Sequence, residues 1–450
     1  MAKKVKMKGV DRISDLPDPI LIHILSFLST IIAARTSILS TRWRNLFTLV
    51  SNLNFELDGC ISRWENRLRL RKFNSSTIKS FRCFVDRVLS FHGRTNVDKF
   101  RLKFRLKRGK CVDSDSACRW ISGALMRGVK HLDLNISLDK FTFPDALFTC
   151  SSLVTLKLDI VLVLHVPEDI HFPNLETLHL KSVKFFDDNS VKSLFSSCSN
   201  LQDVVIENCS MMNVKSFRIS HPLLRSLTII RPCYTSNCWL TIDAPCLSNF
   251  KYIIDHLVAG YSLKNLESIV SADIQFLIEN VDLQADARHA ATIFREIYRV
   301  RSLVLSLYSL ELLLSCEPFP AFPTLVELET PYDKAEQLMS STDKGLETLL
   351  SHCPELENLA FRQVLFFDVL ISLPEEVPSC LSFKVKAIEI SNFKEDEDCI
   401  RKAKYILENG RALEKLTIRT SICCRFNKLK ISQVLFAYPR KSKQCFILIV

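Results

Sequence analysis

Apolar residues recur along this chain as a triplet, the second three and the third five positions after the first, as in LVTLKL from Leu153, LETLHL from Leu175 and LQDVVI from Leu201. Starts of the triplet fall at Val97, Val129, Leu153, Leu175, Leu201, Leu224, Leu247, Val300, Leu356 and Leu413, and the steps from Val129 to Leu247 are 24, 22, 26, 23 and 23 residues. A period this steady predicts a solenoid, in which each repeat adds one short strand to a parallel, concave sheet and returns by a helix or an irregular segment. Side chains alternate along a strand, so Leu156, Leu158, Leu178 and Leu180 are expected inside, with Thr155, Lys157, His179 and Lys181 facing outward. After Leu247 the spacing loosens: a weak unit near Leu266 and a 53-residue step to Val300 predict an irregular stretch or an insertion there.

Ahead of the repeats the periodicity changes. Asp18 and Pro19 read as a helix start, a carboxylate for the orphan N–H groups and a proline that needs no partner. The helix is predicted to run to about Leu28, with Leu21, Ile24, Leu25 and Leu28 in one apolar stripe and Ile20, Ile24 and Phe27 in a second beside it. Two further short helices, Ile31 to Leu39 and one beginning after Thr41 with Trp43, Leu46, Phe47 and Val50, can cover one stripe. The other stripe is left for another chain. The expected fold class is therefore α/β, a three-helix module followed by the solenoid.

Composition narrows the chemistry. Of 450 residues 47% are hydrophobic and 24% charged, a globular balance. Only 9 are glycine, with no G-x-G pair and no phosphate-loop motif. The 17 cysteines contain no C-x-x-C pair, so neither a disulfide framework nor a zinc site is expected. Cys150, Cys198 and Cys353 each precede a repeat start by three residues and read as small apolar core residues. No His-Glu-x-x-His or Gly-x-Ser-x-Gly motif occurs, and no cofactor, metal or catalytic residue is assigned. The basic start leads into Asp11 and Arg12 rather than an apolar run, and the longest greasy stretch, residues 20 to 34, is too short and polar to span a bilayer. A nuclear or cytoplasmic protein with reduced thiols is expected.

Charge is uneven. Residues 1 to 110 hold 24 Lys/Arg against 8 Asp/Glu, which leaves a net −5 on the other 340 residues of a chain with net charge +11. The densest stretch is KFRLKFRLKRGK from Lys99, where Phe100, Leu102, Phe104 and Leu106 alternate with Lys99, Arg101, Lys103, Arg105 and Lys107. One reading is a solvated edge strand whose lysines discourage pairing. The functional reading is a cationic face for an acidic or phosphorylated segment, since arginine pairs bidentately with carboxylate and phosphate. Lys99, Arg101, Lys103, Arg105, His131, Lys157, His179 and Lys181 are the candidate substrate-binding residues. No stacking platform accompanies the charge, so nucleic acid is not an expected partner.

DRISDLPDPILIHILSFLSTIIAARTSILSTRWRNLF from Asp11 resembles the plant form of the F-box, departing from it at Ser29 and at Ile31 and Ile32. The segments FVDRVLSFH from Phe84 and VKHLDLNIS from Val129, with the repeats, resemble plant F-box leucine-rich-repeat proteins. VPSCLSFKVKAIEISNFKEDEDCIRKAKYILENGRALEKLTI from Val377 and YPRKSKQCFILIV from Tyr438 are similar to their C-terminal FBD region. The resemblance implies a basic tail over 1–10, an F-box over 11–50, a basic helical linker over 51–96, repeats over 97–372 and an FBD-like region over 373–450. It also implies a Skp-type adaptor of a cullin ubiquitin ligase as partner. Leu16, Pro17, Ile20, Ile24, Leu25, Leu28, Leu39, Ser40, Arg42 and Trp43 would supply that contact or its support. The expected role is a non-catalytic receptor that holds a protein substrate near the ligase. The alternative is a repeat scaffold for an acidic or phosphorylated partner that never joins a ligase.

Overall fold

The computed structural model describes residues 13, 15–57, 75–93, 95–104, 112–138, 141–235, 237–277, 283–331, 345–361, 376–393, 397–420 and 428–450. It divides into two compact units, Met1–Lys184 with Ser197–Leu201, and Phe185–Ser196 with Gln202–Val450.

The first unit opens with α1 (Asp18–Ser26), α2 (Thr30–Thr36) and α3 (Thr41–Phe47), the three helices expected. Ser29, at the start of α2, has φ −61°, the value a proline ring would impose, so the backbone there suits either residue. A strand β1 (Asn52–Glu56) follows, where a helical linker was expected; Leu53, Phe55 and Leu57 alternate into the core, and period two decides the element. Two helices, α4 (Ser75–Phe91) and α5 (Ser114–Leu125), flank β2 (Lys99–Phe104), and β3 (His131–Ile136), β4 (Thr155–Asp159), the short β5 (Val163–Leu164) and β6 (Thr177–Lys181) complete the unit. Strands β1, β2, β3, β4 and β6 pair in parallel in that order. Leu156, Leu158, Leu178 and Leu180 are buried and their neighbours Thr155, Lys157, His179 and Lys181 face outward, as the alternation required.

The three-helix module is docked on this sheet. Edge strand β1 would expose unpaired N–H groups, and Asn54 N–H donates instead to Thr30 Oγ1 of α2 at 2.6 Å, with the Thr30 side chain buried. On the other side His92, just past α4, packs edge-on against Phe47 of α3 at 5.1 Å. Its Nδ1 lies 2.9 Å from the Val88 carbonyl, while Nε2 is buried without a well-formed hydrogen bond. Burial lowers the His92 imidazole below its ordinary value of 6.5, opposed by nearby carbonyls of Val88, Val50 and Phe47 and reinforced by Arg127. A proton therefore binds the unfolded chain more readily than the folded one, and stability should fall as the pH drops below 6.5. Thermal melts between pH 7.5 and 5.5 should show a smaller loss for His92→Gln than for the native chain. Parallel pH profiles would show that burial does not hold the His92 imidazole below its ordinary value.

In the second unit ten strands pair in parallel with repeat spacing: Asp203–Glu207, Ser226–Ile230, Asn249–Ile254, Ser271–Phe276, Ser302–Leu305, Glu327–Thr330, Asn358–Phe361, Ala387–Phe393, Lys415–Thr420 and Phe446–Ile449. The stretch after Leu247 is thus no interruption. Its repeat start is Ile269 rather than Leu266, and Ala272 stands where a leucine would announce the strand. The last three strands continue the same pairing through the C-terminal region. On the return path, where a helix or an irregular segment was expected, Ser216–Ser220, Trp239–Asp243 and Gly260–Lys264 form a second parallel sheet. The Trp239 ring lies against Gly260, where an added Cβ would come within 2.7 Å of it. Non-glycine residues Asn208, Arg231 and Asn265 take positive φ directly after a strand, closing the turn there. None of the thirteen cysteines among the described residues forms a disulfide; burial pushes the Cys198 thiol up to about 11 and the Cys353 thiol up to about 12, which suits core packing.

Candidate functional site

Helix α1 presents its two stripes differently. Leu21 and Leu25 are buried against the other helices, whereas Ile20 and Ile24 are exposed and Phe27 is 76% exposed. Leu25, expected in or behind a contact, is core. Ile32 on α2 and Ile38 and Leu39 in the turn before α3 are also exposed, so the apolar departure at Ile32 enlarges the uncovered apolar area. Phe27 and Ile38 were not singled out as contact residues; Phe27 lay in the second stripe, but Ile38 is one apolar residue in a turn and carries no periodic signal.

Arg42 and Ser40 hold this module in shape. Arg42 on α3 donates to Asp18 Oδ1 through Nε at 2.8 Å and Nη2 at 2.6 Å, and to the Leu16 carbonyl at 2.5 Å. It ties the start of α1 to α3. Ser40 Oγ accepts from the Trp43 N–H at 3.4 Å at the start of α3. Pro17 is exposed just before α1, while Leu16, Leu28 and Trp43 are half-buried.

The cationic strand behaves otherwise than its sequence suggested. β2 is no edge, since β1 and β3 flank it on either side. Register places Glu56 opposite Lys103 and Asp133 opposite Arg101, and both form ion pairs: Lys103 with Glu56, and Arg101 Nε with Asp133 Oδ2 at 3.1 Å, a distance without hydrogen-bond alignment. Much of the outward positive charge is therefore cancelled within the sheet. Lys99 is exposed and in no ion pair among the described residues, His131 Nδ1 lies 3.1 Å from Thr155 Oγ1, and Lys157, His179 and Lys181 lie outward and half-buried. Arg105 lies outside the described residues. The cancelling acids sit 40 or more residues upstream or on the next repeat, where only strand register brings them across. Among the described residues no cluster of three His, Cys, Asp or Glu is placed to hold a metal ion, and no helix is long and apolar enough to cross a membrane.

Residues 13–55 match the F-box domain family. Residues 117–274 match the LRR repeats described for the FBD-associated F-box protein At5g56370, and residues 373–418 match FBD. Among curated proteins, F-box/LRR-repeat protein At4g14096 of Arabidopsis thaliana is 33% identical over 435 residues, covering 91% of this chain and 87% of that one. The chain belongs to the F-box/LRR-repeat family. F-box/LRR-repeat protein At3g59200, from the same plant, is 32% identical over 98% of this chain and 88% of its own length. Within this F-box/LRR-repeat chain the F-box is the three-helix module docked on β1, and the FBD strands Ala387–Phe393 and Lys415–Thr420 extend the repeat pairing rather than forming a sheet of their own.

Proposed function

We propose that this chain is the substrate-receiving subunit of a cullin-type ubiquitin ligase, with the F-box binding a Skp-type adaptor and the repeats holding a protein substrate. The observation that carries the reading is the split of α1: its own chain covers Leu21 and Leu25 and leaves Ile20, Ile24 and Phe27 in water. Such a surface on a family F-box is suited to a partner helix. Catalysis then lies with other subunits, and the receptor acts by proximity. The reading places the protein in the nucleus or cytoplasm, where its thiols stay reduced.

The test is co-expression with a Skp-type adaptor and capture on the tagged chain. Wild type should retain the adaptor stoichiometrically. Ile24→Asp with Phe27→Asp should retain at least tenfold less while melting close to wild type, because both positions are solvent-exposed. Equal capture by the two would remove the adaptor contact from this surface and leave a repeat scaffold outside any ligase.

A further inference from the structure

A groove of about 590 Å³ runs between α2–α3 and α4 in the first unit. Its apolar lining comes from Ala34 and Phe47 on one side and Phe84, Val88 and Phe91 on the other. Two arginines also line it, Arg44 from α3 and Arg87 from α4, one from each wall. Neither forms an ion pair or a side-chain hydrogen bond among the described residues, and no lining residue carries a carboxylate. Ser37, Thr48 and Ser80 complete the polar part of the lining, with the Ser37 and Thr48 hydroxyls donating to the Ala34 and Asn45 carbonyls. Helix α1, which carries the exposed Ile20, Ile24 and Phe27, contributes nothing to this lining.

An apolar body and a negative head match this arrangement together. Aromatic and aliphatic walls remove the body from water, and two arginines without partners offer charge-assisted hydrogen bonds to one anion. The volume is that of a small-molecule site, within the roughly 300–1,000 Å³ usual for such pockets. We infer that the groove between the F-box helices and α4 binds a small amphiphilic organic anion, an aromatic or aliphatic body bearing a carboxylate, sulfonate or phosphate, held by Arg44 and Arg87. A ligand gripping both walls would stabilise the docking of the F-box on α4 through the same linkage by which any native-state ligand raises a melting temperature.

The experiment uses the full chain and two fluorescent probes of like shape, anionic 1-anilinonaphthalene-8-sulfonate and uncharged N-phenyl-1-naphthylamine. Cys83 lines the groove and is exposed, so its alkylation by iodoacetamide, read by peptide mass spectrometry, reports occupancy there, with exposed Cys233 and Cys246 as controls. The anionic probe should slow Cys83 alkylation at least fivefold and leave both controls unchanged. Arg44→Gln with Arg87→Gln should weaken the anionic probe at least tenfold and the uncharged one less than twofold, at an unchanged melting temperature. Undiminished protection of Cys83 in that variant would overturn the inference. So would equal loss of both probes or a fall in melting temperature, either of which makes the arginines structural. Displacement of the probe by stoichiometric adaptor would overturn it too, by giving the groove to the adaptor.

Discussion

Leu178→Asp should unfold the first unit at room temperature. Leu178 is fully buried in β6, in register with buried Leu156 of β4, so the new carboxylate would have neither water nor a partner. An uncompensated buried charge costs several kcal/mol, a large part of the roughly 5–15 kcal/mol that holds a domain together. Repeats lean on their neighbours, so the damage should spread along the stack. His179→Ala, one residue on and facing outward, should melt close to wild type. Circular dichroism melts of the two variants decide the matter, and similar curves would mean that the strand is threaded one residue out of register.

Phe217→Ala should destabilise the second unit by about 3–5 kcal/mol, the usual result of emptying a buried phenylalanine site. Phe217 is fully buried, and its ring meets those of Phe185, Phe195 and Tyr234 at 6.2 to 6.4 Å. It joins strand Ser216–Ser220 to helix Asp188–Ser196, the return-path elements of two successive repeats. Arg218→Ala, on the exposed side of the same strand, serves as the control. A denaturant series in which the two midpoints coincide would show that this aromatic cluster is not the hub its geometry describes.

The repeats were legible where the triplet recurs at an even step: Val129, Leu153, Leu175, Leu201, Leu224 and Leu247 are all fully buried, with a strand two residues later, whereas Val385, which also begins a triplet of large aliphatics, lies outside that even spacing and was missed. They faded where other residues take the same positions. Thr330, almost fully buried, ends the triplet begun by Leu325, and Ala272 replaces a leucine in the strand from Ser271. β1 was hidden for another reason: Leu53, Phe55 and Leu57 alternate plainly, but the basic residues after them drew the whole stretch into a presumed linker. The second sheet was overlooked because SFRIS and WLTID are five-residue alternations outside the counted triplets. For the site, amphipathicity identified α1 and its two stripes, since helical periodicity is a local property. Net surface charge is not local, and the pairing of Arg101 with Asp133 and of Lys103 with Glu56 depends on strands that only folding aligns.

The hydrogen bond from Asn54 to Thr30 bears on the geometry of ubiquitin delivery under the receptor reading. An F-box carried on a loose tether would let a bound client swing through many orientations, exposing different lysines in turn. Here the module is stitched to the end of the strand ladder β1–β6 and braced by α4, so a client seated on those strands is carried like cargo on a fixed bracket. Which lysines come within range is then decided by the docking pose, and a client whose lysines all point away would be held but spared.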